Sequence, residues 1–395
     1  MTDPSEQPPA VGRGRLLPLY AAGLVTAFGS HSIAASLGTY TQGQHASLLT
    51  LGVLLAVYDG AEVLLKPVFG VLADRVGLRV VLLGGLVAFA VASAAFVVAG
   101  NPALIGVARF GQGAAGAAFS PAAGALVARL TPAAQQGRSF GSYGAWKGIG
   151  YTLGPVLGGI LITLGGYNLL FTTLAVLALV VAAWAALAVP TAEPLPRARQ
   201  TMLDLFRRLT ATGFLHPTLT LAGAAAVLSA GVGFLPVIGA QDRLGPLLTG
   251  AAVSVLAAAA ALVQPWAGRA RDAGRFGDGT GMGGGLAVAA VGIAVATVLP
   301  GLAGIMVAAL IIGVGTGLAT PVGFAHLAAS TPTERMGQTM GAAEVGREVG
   351  EAGGPLLVGA IAAATTLGGG MLGLAVLLVA IAAIVARTAT ATTHR

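Results

Sequence analysis

The chain has 395 residues; 56% are hydrophobic, 9% are charged, 61 are glycine, and the formal net charge is +7. A soluble globular domain carries about 25% charged residues, so there are too few charges here to cover a water-facing surface of this size. The absence of cysteine excludes disulfides, thiolate metal sites and a cysteine nucleophile.

In chain order, residues 1–15 are a polar tail expected on the cytoplasmic side. The apolar run Leu16 to Leu37 is long for a signal peptide and has no convincing cleavage site, so it is read as the first spanning helix. A run of about 20 apolar residues suffices to cross a bilayer. The runs and polar breaks predict twelve helices near 16–38, 47–69, 79–99, 103–129, 136–162, 166–188, 214–239, 247–267, 281–299, 302–328, 337–364 and 367–387. Joints such as Gly100-Asn101-Pro102 and Pro300-Gly301 are short, as expected where open backbone in lipid is costly. The expected fold is an all-α membrane protein of two pseudo-symmetric six-helix bundles, over 16–189 and 214–387. A cytoplasmic linker over 190–213 joins them, and a tail over 388–395 follows. Within the linker, 201–209 reads as a short amphipathic helix on the membrane surface, the alternative being a basic linker without structure.

If the helices alternate, Arg13, Arg15, Arg75, Arg79, Arg129, Arg138, Arg197, Arg199, Arg207, Arg208, Arg269, Arg271, Arg275, Arg335, Arg387 and Arg395 fall on one side, 16 of the 21 Lys and Arg. Only Arg243 falls in a loop opposite. The positive-inside rule then places both termini in the cytoplasm of a bacterial-type inner membrane. The basic balance is thereby explained without a nucleic-acid partner.

The two bundles also repeat in sequence. Pro121, Thr131, Pro132, Gly137, Gly141, Gly150, Gly154, Pro155 and Gly159 recur 200 residues later, as Pro321, Thr331, Pro332, Gly337, Gly341, Gly350, Gly354, Pro355 and Gly359. Pro67, Gly70 and Asp74 recur 198 residues later as Pro265, Gly268 and Asp272. Duplicated halves are a common transporter plan, with the site near the bilayer midplane.

Ionisable residues inside spans are expensive and are usually functional. The second helix holds Asp59, Glu62 and Lys66; Glu62 and Lys66 are four apart and can pair, and Asp59 is expected to point roughly the same way as Glu62. The eleventh helix holds Glu344, Arg347, Glu348 and Glu351, with Glu344 and Glu348 on one face and Arg347 able to pair with Glu351. Lys147 occupies the repeat position of Arg347, and Arg109 lies in the fourth helix. Five acids against four bases suggests a network, either static pairs fixing helix register or one with a titrating acid. His31, Gln112 and His326 are further polar residues within spans; for each histidine one reading is a hydrogen-bonded packing role.

Three stretches resemble the major facilitator superfamily, and the resemblance covers nearly the whole chain. Gly70-Val-Leu-Ala-Asp74-Arg75-Val-Gly77-Leu-Arg79 is similar to its signature loop between helices 2 and 3, with Leu78 in place of the common arginine. The second copy, Gly268 to Arg275, keeps the acid but loses the order. The resemblance implies that this loop latches the halves in an outward-open state. Arg109-Phe-Gly-Gln112-Gly113 is similar to the motif of proton-coupled members, which implies a role for Arg109 in proton transfer; the alternative is a snorkelling arginine. Gly150, Gly154, Pro155, Gly158 and Gly159 match the helix 5 motif of the drug:proton antiporter branch, which implies a dry contact between the halves. The alternative is a packing seam of small residues. For His31, Gln112 and His326 the resemblance implies a place in the substrate cavity.

The expected function is secondary active transport by alternating access: efflux of a small molecule or drug against inward protons, by a monomer driven by the proton gradient with no cofactor and no metal. The alternative is a symporter or exchanger for an anion held by Arg109, Lys147 and Arg347, since a guanidinium suits carboxylate and phosphate. No G-x-x-x-x-G-K-[ST] loop and no metal-ligand spacing occurs. A membrane enzyme or a non-transporting sensor is the least favoured expectation, the absent catalytic motifs counting against the first and the lack of a receptor domain against the second.

Overall fold

A computed structural model describes residues 15–42, 48–191, 212–244 and 246–392. The expected surface helix over 201–209 lies outside the described residues, as do residues 1–14 and 393–395 of the two tails. Among the described residues there are twelve α-helices and two short 3-10 turns. The helices are α1 (Leu17–Gln42), α2 (Leu48–Val76), α3 (Leu78–Val98), α4 (Pro102–Arg129), α5 (136–164), α6 (167–188), α7 (Thr212–Gln241), α8 (Pro246–Asp272), α9 (Asp278–Val298), α10 (Gly301–Ser330), α11 (Met336–Ala364) and α12 (Leu367–Thr392). The turns, Ala133–Gln135 and Thr333–Arg335, lead into α5 and α11. Seven described helical stretches are long and apolar enough to cross a membrane, α5 and α6 counting as one.

Helix ends follow local chemistry. α5 and α6 form a continuous helical run broken at Gly165 and Gly166, where Gly166 takes φ 69°. Between α2 and α3 a single residue, Gly77 at φ 108°, reverses the chain. That backbone region is open to glycine and strained for other residues. α4 begins on Asn101, whose side-chain oxygen accepts the Leu104 N–H at 3.0 Å, with Pro102 at the first helical position.

The described residues gather into two compact units. Unit 1 comprises 15–133, 146–191 and 331–345; unit 2 comprises 134–145, 212–330 and 346–392. Compared with the sequence halves, the start of α5 has joined unit 2 and the start of α11 has joined unit 1. The glycine pairs described below are the reason, because each brings a helix start into backbone contact. Unit 1 is centred on Phe28, Ile33, Phe96, Ile105, Phe171 and Leu174, with Phe96 stacked on Phe171 at 4.9 Å. Unit 2 is centred on Val227, Leu256, Leu286, Ile293, Ile312 and Leu378.

Lipid is as apolar as leucine, so these helices are held by close packing rather than by a hydrophobic drive. Glycine provides the closeness at repeat-related places. A Cβ on Gly85 of α3 would come within 2.9 Å of the Phe119 backbone nitrogen of α4, and one on Gly285 of α9 within 2.7 Å of that of Ala319 on α10. Gly84, one residue away, has nothing near it. Gly85→Ala is therefore expected to destabilise the protein by ~1–3 kcal/mol, with Gly84→Ala near neutral. Thermal unfolding of the two variants in detergent, side by side, checks this; equal midpoints would contradict it.

Candidate functional site

On α2, Tyr58, Glu62 and Lys66 follow at four-residue spacing and share one face. The Tyr58 hydroxyl donates to Glu62 Oε1 at 2.9 Å, and Lys66 Nζ donates to Glu62 Oε2 at 2.8 Å. Lys66 Nζ also lies 3.8 Å from Glu344 Oε2, at the start of α11. The network extends to α4, where the Arg109 guanidinium stands 4.4 Å above the Tyr58 ring and donates to Gln112 Oε1 at 3.4 Å. Gln112 in turn donates to Ser93 of α3 at 3.1 Å. Lys66 is 1% exposed and Arg109 2%.

The glycines that follow Arg109 make room for this arrangement. A side chain at Gly113 would strike the Tyr58 carbonyl, and one at Gly116 would strike the Glu62 carboxylate. The Arg109 to Gly116 stretch thus places a cation and clears space for the acid it serves. An ion buried alone costs several kcal/mol. Here two carboxylates, Glu62 and Glu344, balance two cations, Lys66 and Arg109. The sequence missed Tyr58 and Ser93; the four-residue step from Tyr58 to Glu62 was the available signal.

Asp59 departs from expectation: it is exposed while Glu62 is buried. A three-residue step turns a helix by about 60° short of a full circle, enough here to carry Asp59 off the buried face. On α11, Arg347 donates to Glu351 at 2.7 Å, the expected pair, and also bonds Glu348. Glu344 and Glu348 are both buried, but they pair with different cations, Lys66 and Arg347 respectively.

A second feature occurs once in each unit. In unit 1, Asp74 at the end of α2 accepts the Gly337 N–H at 2.8 Å through one oxygen and the Gln338 N–H at 2.8 Å through the other. In unit 2, Asp272 at the end of α8 accepts those of Gly137 at 2.9 Å and Arg138 at 2.7 Å. Each carboxylate thus caps the start of another helix, where unpaired N–H groups and the helix dipole favour negative charge. The glycines face one another across both clasps. A Cβ on Gly70 would lie 2.7 Å from the Gly337 carbonyl, and one on Gly268 would overlap the Gly137 carbonyl. The second copy of the loop therefore keeps the geometry although it lost the residue order. Arg79 bonds Thr191 and the Ala186 carbonyl at the end of α6, while Arg75 is exposed.

The helix 5 glycines have a partner that differs from the one the resemblance implied. Gly150, Gly154 and Gly158 form one stripe against α1, inside unit 1. A Cβ on Gly150 would strike the Leu24 carbonyl, one on Gly154 would lie 3.1 Å from the Phe28 carbonyl, and one on Gly158 would lie 2.8 Å from Ser32 Cβ. Ser32 Oγ lies 2.7 Å from the Gly154 carbonyl and 2.6 Å from that of Phe28. Four-residue spacing fixes the stripe but not the helix it meets. Pro155 and Gly159 point away from it and are exposed. His31 packs on Tyr151, ring centroids 4.3 Å apart, with Ser30 Oγ 3.2 Å from its Nδ1. Lys147 Nζ lies 5.9 Å from the same tyrosine ring. His326 binds the Asp278 carboxylate at 2.7 Å, so its first neighbour is an acid at the start of α9. Among the described residues no cluster of three or more His, Cys, Asp or Glu has a geometry for holding a metal ion.

The model of the Major Facilitator Superfamily matches residues 19–272. The chain belongs to that superfamily. It is accordingly a multi-pass membrane transporter with the twelve-helix fold, and not an enzyme. The quinolone resistance protein NorA of Staphylococcus aureus is 30% identical over 111 residues, 28% of this chain and 29% of NorA. The class C tetracycline resistance protein of Escherichia coli is 39% identical over 112 residues, 28% of each chain. The chain thus aligns with less than a third of the length of either relative. Among solved structures, the Escherichia coli fucose:proton symporter FucP in its outward conformation superposes with a TM-score of 0.81 at 14% identity, over 95% of this chain and 99% of FucP. The human organic anion transporter MFSD10 superposes at 0.80 and 16%, over 96% and 100%. At such identities the superpositions show a shared fold.

Removing Lys66 leaves two buried carboxylates facing each other. Lys66→Met is therefore expected to destabilise this transporter by ~3–5 kcal/mol, and Glu62→Gln/Lys66→Met by less than the single change. Unfolding midpoints of the two proteins in detergent check the order; a double variant no more stable than Lys66→Met would refute it.

Proposed function

We propose that the protein is a proton-coupled exporter of small, drug-like organic molecules, working by alternating access as a monomer in a bacterial-type inner membrane with both termini cytoplasmic. The observation that carries this reading is the sharing of one buried ammonium, Lys66, between Glu62 and Glu344. Glu62 draws its two bonds from its own helix, so it keeps them wherever α11 goes. The pairing of Glu344 with Lys66 depends on α11 lying beside α2. A carboxylate that parts from its cation in a low-dielectric setting gains affinity for a proton. Movement of the start of α11 against α2 would thus load Glu344 with a proton in one state and release it in the other.

The efflux direction draws support from the helix 5 glycine motif and from the two drug-resistance relatives, over the stretches they share. Asp59, exposed, is assigned no share of the proton. Arg109, fixed over Tyr58, polarises the Tyr58–Glu62 bond. The proton gradient is the energy source, and no cofactor is required.

One observation favours a second reading, anion symport or exchange: Lys147 is half-buried beside Tyr151 and His31, an aromatic and basic group on α1 and α5. Arg347 favours it less, being paired with two glutamates.

Proteoliposomes carrying an internal pH dye, challenged with cationic, neutral and anionic solutes, separate the two. Substrate-dependent proton movement that Glu344→Gln abolishes, with substrate binding retained, is the expected result. Transport without proton movement, unaffected by Glu344→Gln and lost in Lys147→Gln, would replace the exporter with the anion exchanger.

A further inference from the structure

The clasp of unit 2 carries a charged group that the clasp of unit 1 lacks, whereas Asp74 of unit 1 faces Arg129. Beside Asp272, Arg271 donates from Nε to Asp278 Oδ1 at 2.7 Å and from its terminal nitrogen to Oδ2 at 3.1 Å. A further nitrogen of the same guanidinium lies 3.3 Å from Asp272 Oδ1. The same Asp278 Oδ2 is 2.7 Å from His326 Nδ1. A carboxylate only accepts, so Nδ1 carries a proton in this bond whether or not the ring is charged. A continuous path therefore runs from His326 through Asp278, Arg271 and Asp272 to the first N–H groups of α5.

None of these three additions exists in the first copy. By the repeat, Arg271 corresponds to Ala73 and His326 to Leu126, and Asp278, first residue of α9, corresponds to Leu78, first residue of α3. Three apolar positions have become a bonded arginine, acid and histidine, and they are bonded to one another. α10 packs against α7, α8 and α9, and its Phe324 also stacks on Phe140 of α5, an uncharged contact. α7, α8 and α9 present to His326 the ring of His216, whose charge opposes its own, Arg271 with Asp272, and Asp278 respectively. On α10 itself His326 is the sole titratable residue. Its side chain is 31% exposed.

We infer that His326 is a proton-binding site that sets the strength of the Asp272 clasp on α5, and that the Asp74 clasp on α11, with Leu126 at the equivalent position, has no histidine to do so. With His326 neutral, the group holds two carboxylates and one guanidinium, an excess negative charge beside Asp272. With His326 charged, the four balance. The imidazolium neutralises Asp278, and the Arg271 charge is left to hold Asp272 at the α5 start. Acid tightens the clasp and alkali loosens it. By linkage, closing the clasp raises the affinity for the proton by the same factor. This site stands apart from the Glu344 reading and needs no transported substrate.

The chain contains no cysteine, so spin labels can be placed without background. Labels on Ala134→Cys and Ala273→Cys straddle the unit 2 clasp, and labels on Val76→Cys and Thr333→Cys straddle that of unit 1. Distances are measured by pulsed electron resonance in proteoliposomes. From about pH 8 to about pH 5.5, a range in which imidazoles change charge, the short-distance fraction of the first pair should rise about twofold or more. His326→Gln should flatten that rise and leave the response of the second pair unchanged. A first pair that ignores pH, or a rise that survives in His326→Gln, overturns the inference. If His326→Gln fails to reach the membrane, Asp278→Asn serves: a flattened rise supports the inference and a preserved one overturns it. Because a distance is read rather than flux, absence of proton antiport would leave this result intact.

Discussion

A carboxylate set across the opening turn of a helix from elsewhere in the chain is the contact on which most of this structure depends. It satisfies two N–H groups that have no partner within their own helix, and it places negative charge at the positive end of the helix dipole. It also requires glycine on both sides, because the backbones meet there. Gly70 with Gly337 and Gly268 with Gly137 supply that closeness. The compact units are drawn accordingly, each taking in a helix start that belongs by sequence to the other half.

The buried charges obey the same economy of space. Glu62, Lys66 and Arg109 are tolerated in a lipid-facing bundle because their partners come from one helix turn away or from an aromatic face, and because α4 gives up side-chain volume at Gly113 and Gly116. In unit 1 this produces a polar thread through α3, α4, α2 and α11 with balanced charge. Such a thread is rigid along α2, where the bonds are local, and adjustable at Glu344, where the bond spans two helices.

Much of this could be read before any coordinates. Helical spans followed from apolar length, and the pairs Glu62–Lys66 and Arg347–Glu351 from four-residue spacing. What spacing cannot supply is the neighbour. It gives an angle around a helix axis and leaves open which helix lies in that direction. For that reason the stripe Gly150–Gly154–Gly158 is legible as a seam while its partner α1 is not, and Asp59 reads as a companion of Glu62 although it sits off the buried face. Ser93 and Asp278 are not legible, and Arg271 reads only as a charge on the basic side, because a bond between helices depends on tertiary placement; Tyr58 is different, since its bond to Glu62 lies within α2. His326 stood out as a polar residue in an apolar run, but its acid lies 48 residues upstream.

The pairing of the two clasps is reciprocal. The first copy's acid caps the second copy's helix, and the second copy's acid caps the first copy's helix. In a protein made of two separate identical six-helix chains, both bonds would be one and the same, seen from either side of a twofold axis. Any substitution in such a chain would strike both clasps at once. Joining the copies into one chain removes that constraint, and each clasp becomes separately mutable. The arginine, acid and histidine beside Asp272 are a change of this kind: a duplicated chain can carry them on one side, whereas a symmetric pair would have had to carry them twice.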